Sequence, residues 1–371
     1  MPHDRRDRGR VRVPGARRLG GHAPPQRTGY PGRDRTGLTV SDSAGPGAGL
    51  IVGAYASSPT AHRWDPAVES SYLGGLAEVA GIRGLELPWL GSLHAHDEPW
   101  LLATLPARWQ VVLTSVGYTV AAVAGDPRHG LASEDAEGRR AAVANVAAML
   151  AGVRRLNDSA GTPVVIAVEL QAGPGPHPTS SAGAAALAAS LAEIGAWDWE
   201  GTAVLLEHCD AWVPGQAHAK GFLPLGDEIA AIRMSGVEVG IVVNWGRSAI
   251  ELRASSRVLE HVQAARDAGV LRGLMFSGVA DQASAYGAAW ADAHLPFAPE
   301  PGAVGHAAYS EPASMLKVGL ARSALDEAGE LLYSGIKFSW RPEEASVDQR
   351  VAMLRRSVSL LTEAAPVGPR P

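Results

Sequence analysis

Thr202-Ala-Val-Leu-Leu-Glu207-His208 is a short apolar run that stops on a carboxylate, and three later runs stop on a polar residue in the same way. They are Val239-Gly-Ile-Val-Val-Asn244, Leu271-Arg-Gly-Leu-Met-Phe-Ser277 and Leu331-Leu-Tyr-Ser-Gly-Ile-Lys337. Helical-looking stretches separate them. Strands alternating with helices build a parallel sheet, and polar residues at successive strand ends are how a β/α barrel assembles a site at one face.

The same rhythm runs back to Leu50. Strands are expected at 50–55, 82–87, 110–114 and 163–169, then at runs ending on Glu207, Asn244, Ser277 and Lys337. Helices are expected near 67–80, 98–104, up to 156, 180–194, 226–235, 255–268, 311–328 and 346–363. Val258, Leu259, Val262 and Ala265 share one helical face, as a helix packed on a barrel requires. Eight such units predict a single (β/α)8 TIM barrel over residues 49–363. An open doubly wound sheet is the alternative, but Tyr55-Ala-Ser-Ser-Pro59 after the first strand has no glycine to cradle a phosphate.

Hydrophobic residues make up 46% of the 371, enough for a large core. The formal charge of −5 hides an asymmetry: residues 1–46 hold ten Arg and four Asp, leaving 23 Lys and Arg against 34 Asp and Glu in the rest. So acidic a body disfavours nucleic-acid and anionic-membrane partners. The Arg/Gly/Pro-rich segment 1–46 lacks the apolar content to order itself. It reads as a disordered extension or as sequence upstream of a mis-assigned start; a nucleic-acid-binding arm is the third reading. Residues 364–371 form a tail. One cysteine, Cys209, permits no internal disulfide and suits a cytoplasmic protein. No apolar run reaches the roughly 18 residues of a membrane span.

Several of these motifs resemble the xylose-isomerase-like TIM barrels, a group of sugar isomerases, sugar epimerases and endonuclease IV-like enzymes. Gly84-Leu-Glu86-Leu87-Pro88 is similar to the Gly-x-Glu-Leu of their second strand, Leu205-Leu-Glu207 to their fifth-strand metal glutamate, and Asn244-Trp245-Gly246-Arg247 to their Asp-x-x-His segment. The resemblance implies a divalent metal held by Glu, Asp, His and Glu from strands five to eight. Here those positions read Glu207, Asn244, Ser277 and Lys337, so the chain is expected to be a divergent family of unknown function that has lost its metal and needs no cofactor. Three of these four residues are poor ligands for a hard cation. Lysine is rare in this chain, at three against thirty arginines, which makes Lys337 a pointed choice.

Glu169 ends the fourth strand as Glu207 ends the fifth, so the two are expected to form a pair suited to general acid/base chemistry, with Lys337 beside them. A buried structural pair is the competing reading. Trp89, Trp212, Trp245 and Trp340 follow predicted strands and are candidates to stack on a sugar. Glu86, Asn244, Arg247 and His294 complete the candidate substrate contacts. His94-Ala-His96-Asp97 reads as a solvated loop, and the neighbours His208 and Cys209 point apart on a strand. The expected activity is metal-independent cleavage of a glycoside by Glu169 and Glu207. The alternative is a sugar or sugar-phosphate isomerase or epimerase with Glu207 as base and Lys337 in place of the metal. A second alternative is a sugar-binding protein without catalysis. The expected partner is a small sugar or glycoside; oligomers, a homodimer among them, are common in the barrels it resembles.

Overall fold

In a computed structural model, residues 49–175, 182–301 and 307–362 are described. The expectations for 1–46 and for the tail 364–371 lie outside these residues. Eight parallel strands close into a barrel in sequence order, each hydrogen-bonded to the next and the eighth to the first. They are β1 Leu50–Val52, β2 Ile82–Pro88, β3 Gln110–Thr114, β4 Val165–Leu170, β5 Ala203–His208, β6 Gly240–Asn244, β7 Leu271–Phe276 and β8 Tyr333–Ile336. The helices are α1 Pro66–Ala77, α2 Glu98–Thr104, α3 Val116–Gly125, α4 Ala136–Ala160, α5 Ala182–Gly195, α6 Leu225–Ser235, α7 Trp245–Leu252, α8 Val258–Asp267, α9 Val318–Ala328 and α10 Val347–Thr362. The fold is the (β/α)8 barrel that the strand rhythm predicts. None of the helices in the described residues is long and apolar enough to cross a membrane.

Local chemistry sets the boundaries. Asp65 accepts from the amides of Ala67 and Val68 and is followed by Pro66, so α1 starts there. Asp97 and Asp135 cap α2 and α4 in the same way. Gly161, at φ 68°, ends α4 with a left-handed residue. Several boundaries differ from expectation, and α9, expected from about 311, starts at Val318. β1 stops at Val52 because the chain turns into a 3-10 helix over Ala54–Ser57. The long helical region before β4 is two helices, broken after Gly125. Trp245-Gly246-Arg247, read as a strand-end segment, opens the additional helix α7, whose first turn is capped by Asn244 accepting from the Arg247 amide at 3.3 Å.

The core has two layers. Ile51, Val112, Ala167, Leu205, Val242, Met275 and Tyr333 fill the barrel interior. Alternate residues on the same strands, such as Val168, Leu206 and Val243, pack outward on the helices. A period of two therefore decides which side chains reach the barrel mouth.

Candidate active site

Beyond most of these interior residues, the next inward positions turn polar. Leu205 leads to Glu207, Ala167 to Glu169, Val242 to Asn244, Met275 to Ser277, and Tyr333 through Gly335 to Lys337. Glu86, Glu169, Glu207, Asn244, Ser277 and Lys337 are all fully buried.

The structure brings together the four strand-end residues singled out from sequence. Lys337 Nζ lies 2.6 Å from Glu86 Oε1 and 3.4 Å from Glu207 Oε1. Asn244 donates its amide N–H to Glu207 Oε1 at 3.0 Å, and Ser277 donates to Asn244 Oδ1 at 3.1 Å. Arg247, on the first turn of α7, places Nη1 2.6 Å from Glu207 Oε1. Its Nε reaches Asp292 Oδ2 at 3.1 Å, which Lys220 also meets at 2.7 Å. His294, with its backbone at φ 55°, turns Nδ1 to within 3.2 Å of Asp292. Two of the three lysines thus belong to one network.

Electrostatics follow from this packing. Burial works against the Glu207 anion, but Arg247 and Lys337 outweigh it and hold the carboxyl well below the usual range. Burial likewise opposes the Lys337 ammonium, and Glu207 and Glu86 hold it charged. Burial, then Glu207 and Glu86, drive Glu169 well above the usual range, outweighing Lys337 and the Tyr333 hydroxyl, which favour its anion. Its Oε1 is met by the Tyr333 hydroxyl, while Oε2 has no hydrogen-bond partner.

The Glu169–Glu207 pairing expected from sequence is present, one oxygen of each within 4.8 Å of the other, but the two residues are not level. Glu169 registers with Leu205, two residues below Glu207. Gln171 sits at the level of Glu207 instead, its Nε2 3.4 Å from Oε2, and Thr114 Oγ1 lies 3.3 Å from the same oxygen. Two of the tryptophans are corrected as well. Trp89 and Trp245 are 1% and 2% exposed, inside the hydrophobic layer, and Trp89 donates its N–H to Asn145. Neither presents a face to a sugar. Trp212 and Trp340 are half-buried in loops, Trp340 against Tyr309 with ring centroids 5.9 Å apart.

Sequence reading missed Tyr333, Gln171, Thr114, Asp292 and Lys220. Tyr333 and Gln171 were legible in principle, since each is in phase with a residue already chosen. Gly53 was missed too. A Cβ there would lie 2.6 Å from Glu86 Oε2 and 2.8 Å from Lys337 Cγ, so only glycine leaves room for the lysine stem. Beside the cluster, Tyr55 sets its ring 5.7 Å from Lys337 Nζ. The same ring lines a cavity of about 260 Å³ that also takes in Trp64, Glu69, His94, His96 and Trp100. The His94–Asp97 loop is therefore a cavity wall, not merely a solvated turn.

The divalent metal that the barrel resemblance implies was tested against these donors. At its four positions only Glu207 is anionic, and an ammonium stands at the fourth, so the equivalent site does not fit. Glu86, Glu169 and Glu207 do offer one oxygen each within 4.8 Å of one another, the right donor type for a cation. Lys337 and Arg247, however, already sit against Glu86 and Glu207.

The barrel is similar to solved structures of low identity, which speak for the fold alone. One is the IOLI protein with a binding zinc atom, with TM-score 0.53 and 12% identity over 85% of this chain and 98% of that one. Another is a D-tagatose 3-epimerase-like protein, with TM-score 0.51 and 14% identity over 84% and 97%. A family 2 AP endonuclease from Brucella melitensis gives TM-score 0.53 and 14% identity over 83% and 98%. At the sequence level the chain is 36% identical over 318 residues to the uncharacterized protein STM3670 of Salmonella typhimurium, covering 85% of this chain and 97% of the relative. Residues 51–353 match the family described as a domain of unknown function, DUF4862, and the chain belongs to that family.

Proposed function

We propose that this barrel acts on a small polyhydroxylated carbonyl compound, a sugar or sugar derivative, as an isomerase or epimerase in which a lysine does the work of a metal. The observation that carries this reading is the seat of Lys337 Nζ, 2.6 Å from Glu86 and 3.4 Å from Glu207 in a fully buried setting. Proton abstraction beside a carbonyl pushes negative charge onto the carbonyl oxygen. A buried ammonium fixed in advance stabilises that charge.

In this mechanism Glu207 takes the proton from the carbon next to the carbonyl, and the C–H electron pair moves into an enediolate whose oxygen is held by Lys337. In an isomerisation the proton of the adjacent hydroxyl passes to the former carbonyl oxygen, and the abstracted proton, or one from solvent, is returned to the former carbonyl carbon. In an epimerisation a proton is returned to the same carbon from its other face. While Lys337 and Arg247 both hold it, Glu207 is a weak base. A substrate oxygen that draws Lys337 to itself relaxes part of that hold and moves Glu207 toward the basicity the step needs. The cavity lined by Tyr55, Trp64 and Trp100 is the place for the rest of the substrate, with aromatic faces for a sugar ring.

Glycoside cleavage by Glu169 and Glu207 has less support. Such enzymes flank the scissile bond with carboxyls about 5–5.5 Å or 6.5–9.5 Å apart. Glu169 lies a pleat deeper, bonded to Tyr333, with one oxygen within 4.8 Å of Glu207.

The test is solvent exchange. Ketoses and aldoses, free and phosphorylated, are incubated with the protein in deuterated water, and deuterium at the carbon beside the carbonyl is read by NMR. Exchange is expected with the wild type and lost in Glu207→Gln and Lys337→Met. Binding without exchange would favour a non-catalytic sugar receptor. Hydrolysis of an aryl glycoside without exchange would reinstate the glycosidase.

A further inference from the structure

Strand alternation that turns Glu207 into the barrel turns His208 outward, into the layer beneath α6, α7 and α8. There His208 Nε2 lies 3.0 Å from Glu251 Oε2 on α7, and His261 Nε2 on α8 lies 3.6 Å from Glu251 Oε1. The two imidazole rings stand 5.0 Å apart at 76°. One donor atom from each of the three residues lies within 4.8 Å of the others. Tetrahedral zinc with bonds of about 2.0–2.2 Å sets its donors roughly 3.3–3.5 Å apart, and these spacings bracket that value.

The surrounding groups are arranged as metal-bound histidines require. His208 Nδ1 is 2.9 Å from Glu228 Oε2 on α6, and His261 Nδ1 is 3.0 Å from Ser248 Oγ. Each ring is thus held through one nitrogen while the other faces Glu251, the outer-shell pattern that fixes tautomer and orientation in metal sites. The amide of Ala211 donates to Glu251 Oε2 at 2.9 Å and holds that carboxylate in place. His208 and Glu228 are fully buried, while Glu251 and His261 stand at a partly open edge with side chains about a tenth exposed.

Charge separates this cluster from the one inside the barrel. Glu228 and Glu251 bring two carboxylates to the two imidazoles, and among the described residues no Lys or Arg forms an ion pair with them. The nearby Arg257 is exposed and paired with Glu260 at 2.8 Å. A divalent ion, taking the place of a proton there, meets those carboxylates.

We propose that His208, Glu251 and His261 form a binding site for one divalent transition-metal ion of the zinc type, with Glu228 and Ser248 orienting the two imidazoles and solvent completing the shell. The site lies outside the barrel, on the opposite face of β5 from Glu207, and is independent of the activity assigned above. Its position ties the end of β5 to α7 and α8, which makes a structural role its natural consequence.

The full chain, stripped with a chelator and dialysed, is titrated with zinc, and bound metal is measured by elemental analysis and by competition with a chromophoric chelator. One zinc per chain is expected. Glu228→Gln, which leaves all three ligands in place, should weaken binding by about 10–100-fold. His261→Gln should weaken it further, and Glu207→Gln should leave it unchanged. Cobalt added to the wild type should give the intense visible absorption of a four-coordinate site, a readout that needs no variant. The proposal is overturned if the wild type holds no zinc at micromolar concentrations. It is equally overturned if folded Glu228→Gln and His261→Gln bind zinc like the wild type, or if Glu207→Gln abolishes binding and so places the ion inside the barrel.

Discussion

Glu207 and His208 are consecutive residues on β5, yet they anchor two buried clusters of opposite electrostatic design. Inward, Glu207 meets Arg247 at 2.6 Å and Lys337 at 3.4 Å, cations that the neighbouring carboxylates hold charged against burial. Outward, Glu228 and Glu251 face a histidine, a side chain that gains its charge by taking up a proton. Burial disfavours the His208 imidazolium, but Glu228 and Glu251 outweigh it and push its pKa up to about 10 when no other cation is present. The inner cluster is closed by groups built into the chain. The outer one is closed by whatever small cation arrives, a proton or a metal ion. One strand thus separates a site fixed in charge from a site that exchanges it.

The largest effect should come from opening the inner cluster. Lys337→Met keeps the side-chain bulk and strands Glu86 and Glu207 without their shared cation. Removing one partner of a buried ion pair costs about 3–5 kcal/mol, so denaturant unfolding should shift by that amount and deuterium exchange into substrate should vanish. Adding Glu207→Gln should return part of the stability and none of the activity. If Lys337→Met exchanges protons at the wild-type rate, the inner cluster is structural and the contrast between the two sides loses its meaning.

Arg247→Lys asks whether charge alone closes the cluster. The guanidinium spans Glu207 and Asp292 with separate nitrogens, which an ammonium at that position does not reproduce. A loss of about 1.5–3 kcal/mol is expected for the forfeited charged hydrogen bond, together with reduced turnover. Unchanged stability would mean that charge, not geometry, does the holding.

Acid titration addresses Asp292. Burial opposes its charge, but His294, Arg247 and Lys220 hold it well below the usual aspartate range. A depressed folded-state pKa adds stability that is fully present above the unfolded value and is lost as pH falls through the folded one. Wild-type stability should therefore fall more steeply below about pH 4 than that of Asp292→Asn, measured as melting temperature against pH. Parallel curves would show that Asp292 is not coupled to the cations.

The smallest expected effect lies on the outer side. Ser248→Ala removes the hydrogen bond to His261 and should cost about 1 kcal/mol, with proton exchange on substrate untouched. Any drop in exchange rate would mean that the two sides of β5 are coupled.

The fold and half of the site were legible in the sequence because both follow from local periodicity. Apolar runs ending in Glu207, Asn244, Ser277 and Lys337 are in-phase strand ends, and the barrel brings such ends together. Glu169 shows where that reasoning stops. Its place in β4 is readable, but its depth depends on how β4 slides against β5, a register that neither strand encodes alone. Trp89 and Trp245 fail for a related reason: following a strand does not say whether a side chain turns toward the mouth or under a helix. Asp292 lies beyond β7 in a stretch with no periodicity, and only tertiary contact identifies it. Alternation separates His208 from Cys209, but the partners of His208 come from three helices that the strand pattern does not describe.

Gly53 gives the inner cluster a history. The space a methyl group would fill at that position is occupied by the Lys337 stem and a Glu86 oxygen, so the two positions are contingent on each other. Gly53→Ala should be damaging beside Lys337 and far milder in a Lys337→Ala background, a non-additive pair. An ancestral barrel with any side chain at 53 had no room for this lysine. Along such a lineage, the loss of that side chain must precede or accompany the gain of the lysine.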